Sequence, residues 1–74
     1  MKINWFDGGV PFWEANVWIY NGAGDALLLE RFTTKAEAIK CIKDFRKKYK
    51  GGDRLDCFVS RFDADEFCEY SINV

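Results

Sequence analysis

Apolar and polar residues alternate with period two over most of this chain and switch to a helical period once, which predicts an α+β domain. Residues 2–6 place Ile3 and Trp5 on one side and Lys2, Asn4 and Phe6 on the other, a strand pattern. Asp7-Gly8-Gly9-Val10-Pro11 reads as a loop. Residues 12–20 give the strongest strand signal. Trp13, Ala15, Val17 and Ile19 fall on one face, and Phe12, Glu14, Asn16, Trp18 and Tyr20 on the other. Asn21 to Asp25 contains the residues that tolerate a hairpin turn, and Ala26 to Phe32 returns. With Ile19 set opposite Leu27, Leu27 and Leu29 are expected on the buried face.

The pattern then changes. Thr34-Lys35-Ala36-Glu37 has the spacing of a capping box, and Ala38, Cys41, Ile42, Phe45 and Tyr49 recur on one helical stripe. Gly51-Gly52 is expected to end this helix, predicted over 34–50. Leu55, Cys57 and Val59 then alternate with Asp56, Phe58, Ser60 and Phe62. A second turn at 62–66 leads into a final strand, with Cys68, Tyr70, Ile72 and Val74 on one face. The expected fold is a single domain over 1–74: one helix packed on a four- to five-stranded antiparallel sheet, in the order β-β-β-α-β-β.

Size makes the core demanding. A chain of 74 residues buries only about 60% of the surface its unfolded form exposes. Phe, Trp and Tyr make up 18% of the residues, and large rings supply apolar area that a small core otherwise lacks. Cys41, Cys57 and Cys68 are an odd number and follow no apolar signal segment, so they read as reduced thiols on core-facing positions of a cytosolic protein. No stretch has the length of a membrane span.

Catalytic and metal chemistry find little to work with. The chain has no histidine, which removes Cys-His and Ser-His-Asp arrangements and the commonest metal ligand. The cysteines form no C-x-x-C pair. Asp63-Ala64-Asp65-Glu66 begins like a calcium loop, but Cys68 and Val74 stand where that loop needs Gly and Glu. Gly22-Ala23-Gly24 leads into a strand, not a helix, so it lacks the dipole of a phosphate-cradling loop. The expectation is a protein that is not an enzyme and binds no cofactor, metal or membrane.

Charge is where the remaining information lies. Net charge is −1, yet the segment 34–50 holds seven of the eleven basic residues, and both flanks are acidic. Lys40, Lys43 and Lys47 point away from the apolar helix stripe, flanked by Lys35 and Lys50, a candidate phosphate-binding face. Acidic surroundings weigh against nucleic acid as the partner. The second candidate is the sheet face away from the helix. Trp18, Tyr20, Phe58 and Phe62 are expected there, with Phe6, Phe12 and Phe32 nearby and Glu14, Glu30, Asp56 and Glu69 among them. Aromatic anchors ringed by carboxylates suit a larger protein with a basic surface. An uncovered face or open sheet edge would also allow a homodimer.

Two resemblances bear on this choice. From Phe12 to Tyr49 the pattern Trp-x-Ala-x-Val…Gly…Leu-x-Arg-Phe-Thr-Thr-x-x-Glu-Ala resembles the sheet-plus-helix DNA-binding domains of integrase arms and ethylene-response factors. That resemblance implies DNA reading from the sheet by Arg and Lys, where this chain has Glu14, Asn16, Trp18 and Glu30. In size, acidity and lack of catalytic residues the chain is similar to phage anti-CRISPR inhibitors. That likeness implies steric occlusion of a nucleic-acid-handling complex, such as a CRISPR effector, in a host cytoplasm.

Overall fold

A computed structural model describes residues 2–3, 9–20 and 26–74, with the backbone alone described for 2–3. The strands are β1 (Lys2–Ile3), β2 (Phe12–Ile19), β3 (Leu28–Phe32), β4 (Leu55–Phe62) and β5 (Cys68–Asn73), and the helix is α1 (Lys35–Lys48). They form one antiparallel sheet in the spatial order β1-β3-β2-β4-β5. The α+β class with a single helix and the element order are as expected; the length of the first strand is not. The first strand is reduced to a two-residue rung on β3, so the strands that carry the sheet run β-β-α-β-β. Asn4, Trp5 and Phe6 of the expected strand, and the turn at 21–25, lie outside the described residues.

Local chemistry starts the helix where the capping spacing predicts. The Glu37 N–H donates to Thr34 Oγ1 at 3.3 Å, and the Thr34 and Thr33 hydroxyls donate back to Glu37 Oε1 at 2.8 and 3.3 Å. At the other end the glycines act differently from expectation. Among the described residues the one glycine with positive φ is Gly9, so α1 does not stop on a left-handed glycine. Tyr49 instead turns into extended backbone, stacks on Phe45 at 5.8 Å and donates its hydroxyl to Asp53 Oδ2 at 2.8 Å. Gly51 lies under that ring, where a Cβ would collide with it.

The core lies between helix and sheet. Ala15, Val17, Ala38, Ile42, Cys57 and Val59 are buried in one cluster. Trp13, Leu28, Phe32, Ile39, Cys41, Phe45, Leu55 and Val74 close around it. Alanine at 15 and 38 keeps both surfaces low at the crossing, and Ile42 and Val17 fill the space beside them.

One register corrects the sequence reading. Val17 faces Leu28 and Ala15 faces Glu30, one residue off the expected pairing of Ile19 with Leu27. Side chains alternate, so that slip exchanges the faces of the whole strand. Leu28, Glu30 and Phe32 share the helix side; Leu29 and Arg31 take the other. The exchange puts the largest ring of β3, Phe32, against the core and sets Arg31 beside Glu14 on the far face. A second correction concerns β5. Arg61 pairs with Tyr70 and Phe62 with Cys68, so Glu69 is the extra residue of a β-bulge. The bulge keeps Tyr70 and Ile72 on the helix side but turns Cys68 to the outer face, where it is exposed instead of a core thiol.

Candidate functional site

The outer sheet face has a closed middle and two different ends. Phe12, Asn16 and Ser60 are buried there. Phe12 stacks on Phe62 with centroids 4.9 Å apart, and the Arg31 guanidinium sits 4.2 Å from the Phe12 centroid. Arg31 also pairs with Glu66 at 2.9 Å and approaches Glu14 at 3.8 Å. Glu14 and Arg31 side chains are only 12% and 11% exposed. Burial raises the Glu14 pKa above its ordinary value, against the opposing effects of an Asn16 hydrogen bond and the Arg31 charge. This end is an ion-pair network among Arg31, Glu14 and Glu66, and Glu14 is not the rim carboxylate that the alternation suggested.

The other end is open. Across the ladder, Leu29, Asn16 and Phe58 form one row, and Trp18 and Asp56 share the next. The Leu27 N–H bonds to the Val17 carbonyl, and the Tyr20 N–H to the Arg54 carbonyl, each at 2.8 Å. The second bond continues the β2–β4 register to Tyr20 beside Arg54, while the first is out of register and sets Leu27 against Val17 just before β3 begins. Tyr20 is 45% exposed, and Leu27 and Leu29 are each 37% exposed. Trp18 and Phe58 are half-buried. The Arg54 guanidinium lies 4.3 Å from the Tyr20 centroid, and Trp18 Nε1 donates to Asn16 Oδ1 at 3.5 Å. The result is one patch of apolar side chains with Asp56 exposed at its margin.

The predicted partner-binding residues therefore separate. Trp18, Tyr20, Phe58 and Asp56 come together. Phe62 belongs to the Phe12 stack at the far end, and Glu69 is exposed at the bulge. Glu30 and Phe32 point to the helix side through the β3 register and leave the site. Leu29 joins it although the alternation placed it in the core. Its signal lay in the length of the hairpin connection, which periodicity does not fix.

The helix carries the other candidate surface. Lys40, Lys43 and Lys47 are all exposed, as are Lys35, Arg46, Lys48 and Lys50. A shallow recess of about 490 Å³ runs along Ala36, Ile39, Lys40, Lys43, Asp44 and Lys47. No helix is long and apolar enough to cross a membrane. Among the described residues no His, Cys, Asp and Glu side chains gather in a metal-binding group. Cys57 is buried, and burial raises its pKa, further from the reactive thiolate; the Arg46 charge lowers it and Asp56 raises it in smaller measure. Comparison of the chain with protein-family models, curated proteins and solved structures gave no match.

Proposed function

We propose that the protein is a non-catalytic binding module that docks on a larger protein through the open end of its outer sheet face. Trp18, Tyr20, Leu29 and Phe58 form the contact, and Asp56 lies at its margin. The observation that carries this reading is the coincidence of exposed apolar side chains on one face of one hairpin end, with no described element over them. Scattered exposed apolar residues are ordinary; a contiguous group marks an interaction surface. Rigid aromatics such as Trp18 and Tyr20 are the usual anchors of such contacts.

The finer reading is that the partner is a nucleic-acid-handling defence complex, blocked by steric occlusion as anti-CRISPR inhibitors do. It rests on the similarity in size and on the lack of catalytic motifs. The direct test is target cleavage by purified CRISPR effectors with and without the chain, followed by titration of the inhibited effector with variants. Trp18→Ala is expected to weaken binding by at least about 2 kcal/mol. Lys40→Glu/Lys43→Glu/Lys47→Glu is expected to leave it within a few-fold. The second reading, nucleic-acid binding through the helix, is favoured by the exposure of all three stripe lysines on one line. If the triple reversal abolishes binding and Trp18→Ala does not, the helix is the functional face and the sheet-face reading falls.

A further inference from the structure

The sheet ends in β5, whose outer edge pairs with no described strand. The Val74 N–H donates to the Cys57 carbonyl at 3.0 Å. In an antiparallel ladder, hydrogen-bonded and non-bonded pairs alternate. Cys57 with Val74, Val59 with Ile72 and Arg61 with Tyr70 are therefore the bonded pairs of β4 and β5, and Phe58 with Asn73 and Ser60 with Ser71 are not. The backbone N–H and C=O groups of Ser71 and Asn73 consequently point away from β4. No strand lies beyond β5 in the sheet order of the described residues.

Open edges are usually blunted by charge, proline or a bulge. In β5 the bulge is at Glu69, and residues 70–74 are Tyr, Ser, Ile, Asn and Val, without a charged side chain. The opposite margin, β3 beyond its short pairing with β1 at Arg31 and Phe32, carries Glu30. Of the possible two-fold registers, one sets Ser71 opposite the second copy's Asn73, so that the outward-facing groups of both form bonded pairs. That register puts Ile72 opposite Ile72 on the axis and Tyr70 opposite Val74. Both apolar pairs fall on the helix side, both polar pairs on the other, and the bulges stay outside the pairing. Tyr70 is 48% exposed, so its ring is available to a neighbour. The register one rung away would oppose Asn73 to bulged Glu69 and break there.

We propose that two copies join through β5 in antiparallel register centred on Ile72, making one continuous sheet. The faces match side chain for side chain, as isologous pairing requires. In this arrangement the two Cys68 residues lie far from the axis on opposite sides, so the dimer does not depend on a disulfide.

Sedimentation equilibrium in reductant is expected to give a reversible monomer–dimer system. Asn73→Pro deletes one outward-facing N–H and no bond to β4, and is expected to raise the dissociation constant by about tenfold or more. In the wild-type chain, amide exchange read by NMR is expected to slow at Ser71 and Asn73 as concentration rises. Tyr70 and Ile72, already bonded to β4, are expected to stay unchanged. Ile72→Lys and Ile72→Glu are each expected to be monomeric and to associate when mixed. A single-chain mass at all concentrations, a dimer that reductant dissolves, or concentration-dependent protection that misses residues 71 and 73 overturns the proposal.

Discussion

At the residue scale, Glu14 shows how a single register change alters chemistry. The alternation of β2 placed its carboxylate at a solvated rim. Pairing with Arg31 on β3 and Ser60 on β4 instead sets it in the closed middle of the sheet face. Its pKa is raised from about 4.5, chiefly by burial, with Asn16 and Arg31 offsetting part of the effect. A carboxyl with a raised folded pKa favours folding most below its unfolded pKa, and that contribution is lost as pH rises through the folded value. Glu14→Gln removes this titration and keeps the shape. Measured by urea denaturation from about pH 4 to pH 7, the stability of Glu14→Gln relative to wild type is expected to rise with pH. A relative stability that falls over this range would mean that the Arg31 pair outweighs burial. Cys68 makes the same point in another way. Its outward turn follows from one extra residue, Glu69, and no hydropathy pattern announces a bulge.

At the element scale, α1 was the most legible part of the chain, because its signals are local. Capping residues, apolar stripe and basic outer face all lie within one segment, and Thr34, Ala38, Ile42 and Lys43 take the positions that their spacing predicts. Strand pairing depends on loop lengths and bulges between segments, which is why β3 reads one residue out and Glu30 and Leu29 change faces. Ile39 was the omission on the helix: it packs against the core from the border of the stripe. The central place of Ile42, fully buried among Ala15, Val17 and Val59, gives a direct check. Ile42→Ala is expected to cost about 2–5 kcal/mol in chemical denaturation. The exposed neighbour Lys43→Ala is expected to cost less than about 0.5 kcal/mol. Similar losses at the two positions would show that the helix is not seated on this face.

At the scale of the whole molecule, a net charge of −1 conceals a separation of charge along a body 38 Å long. The β4–β5 turn holds Asp63, Asp65 and Glu66, with Glu69 just after it in the β5 bulge. It lies at the end of the sheet where Phe12 pairs with Phe62 and where the helix begins. The helix then runs to the opposite end and finishes in Arg46, Lys47 and Lys48, followed by Lys50 and Arg54. A small domain with such poles presents a field of either sign, depending on which end approaches. Average composition is therefore a poor guide to how the helix end meets a polyanion, and any binding at exposed lysines must weaken steeply with salt. At neutral pH and low ionic strength the chain is expected to be retained on heparin despite its acidic balance, and to elute at modest salt. Lys43→Glu/Lys47→Glu is expected to abolish retention, and Trp18→Ala to leave it unchanged, because Trp18 lies on the far face of the sheet. Passage of the wild-type chain through the column unretained would show that the acidic residues neutralise the helix from a distance. The basic stripe would then be a solvated helix face and no more, and the apolar hairpin end would be left as the surface available to a partner.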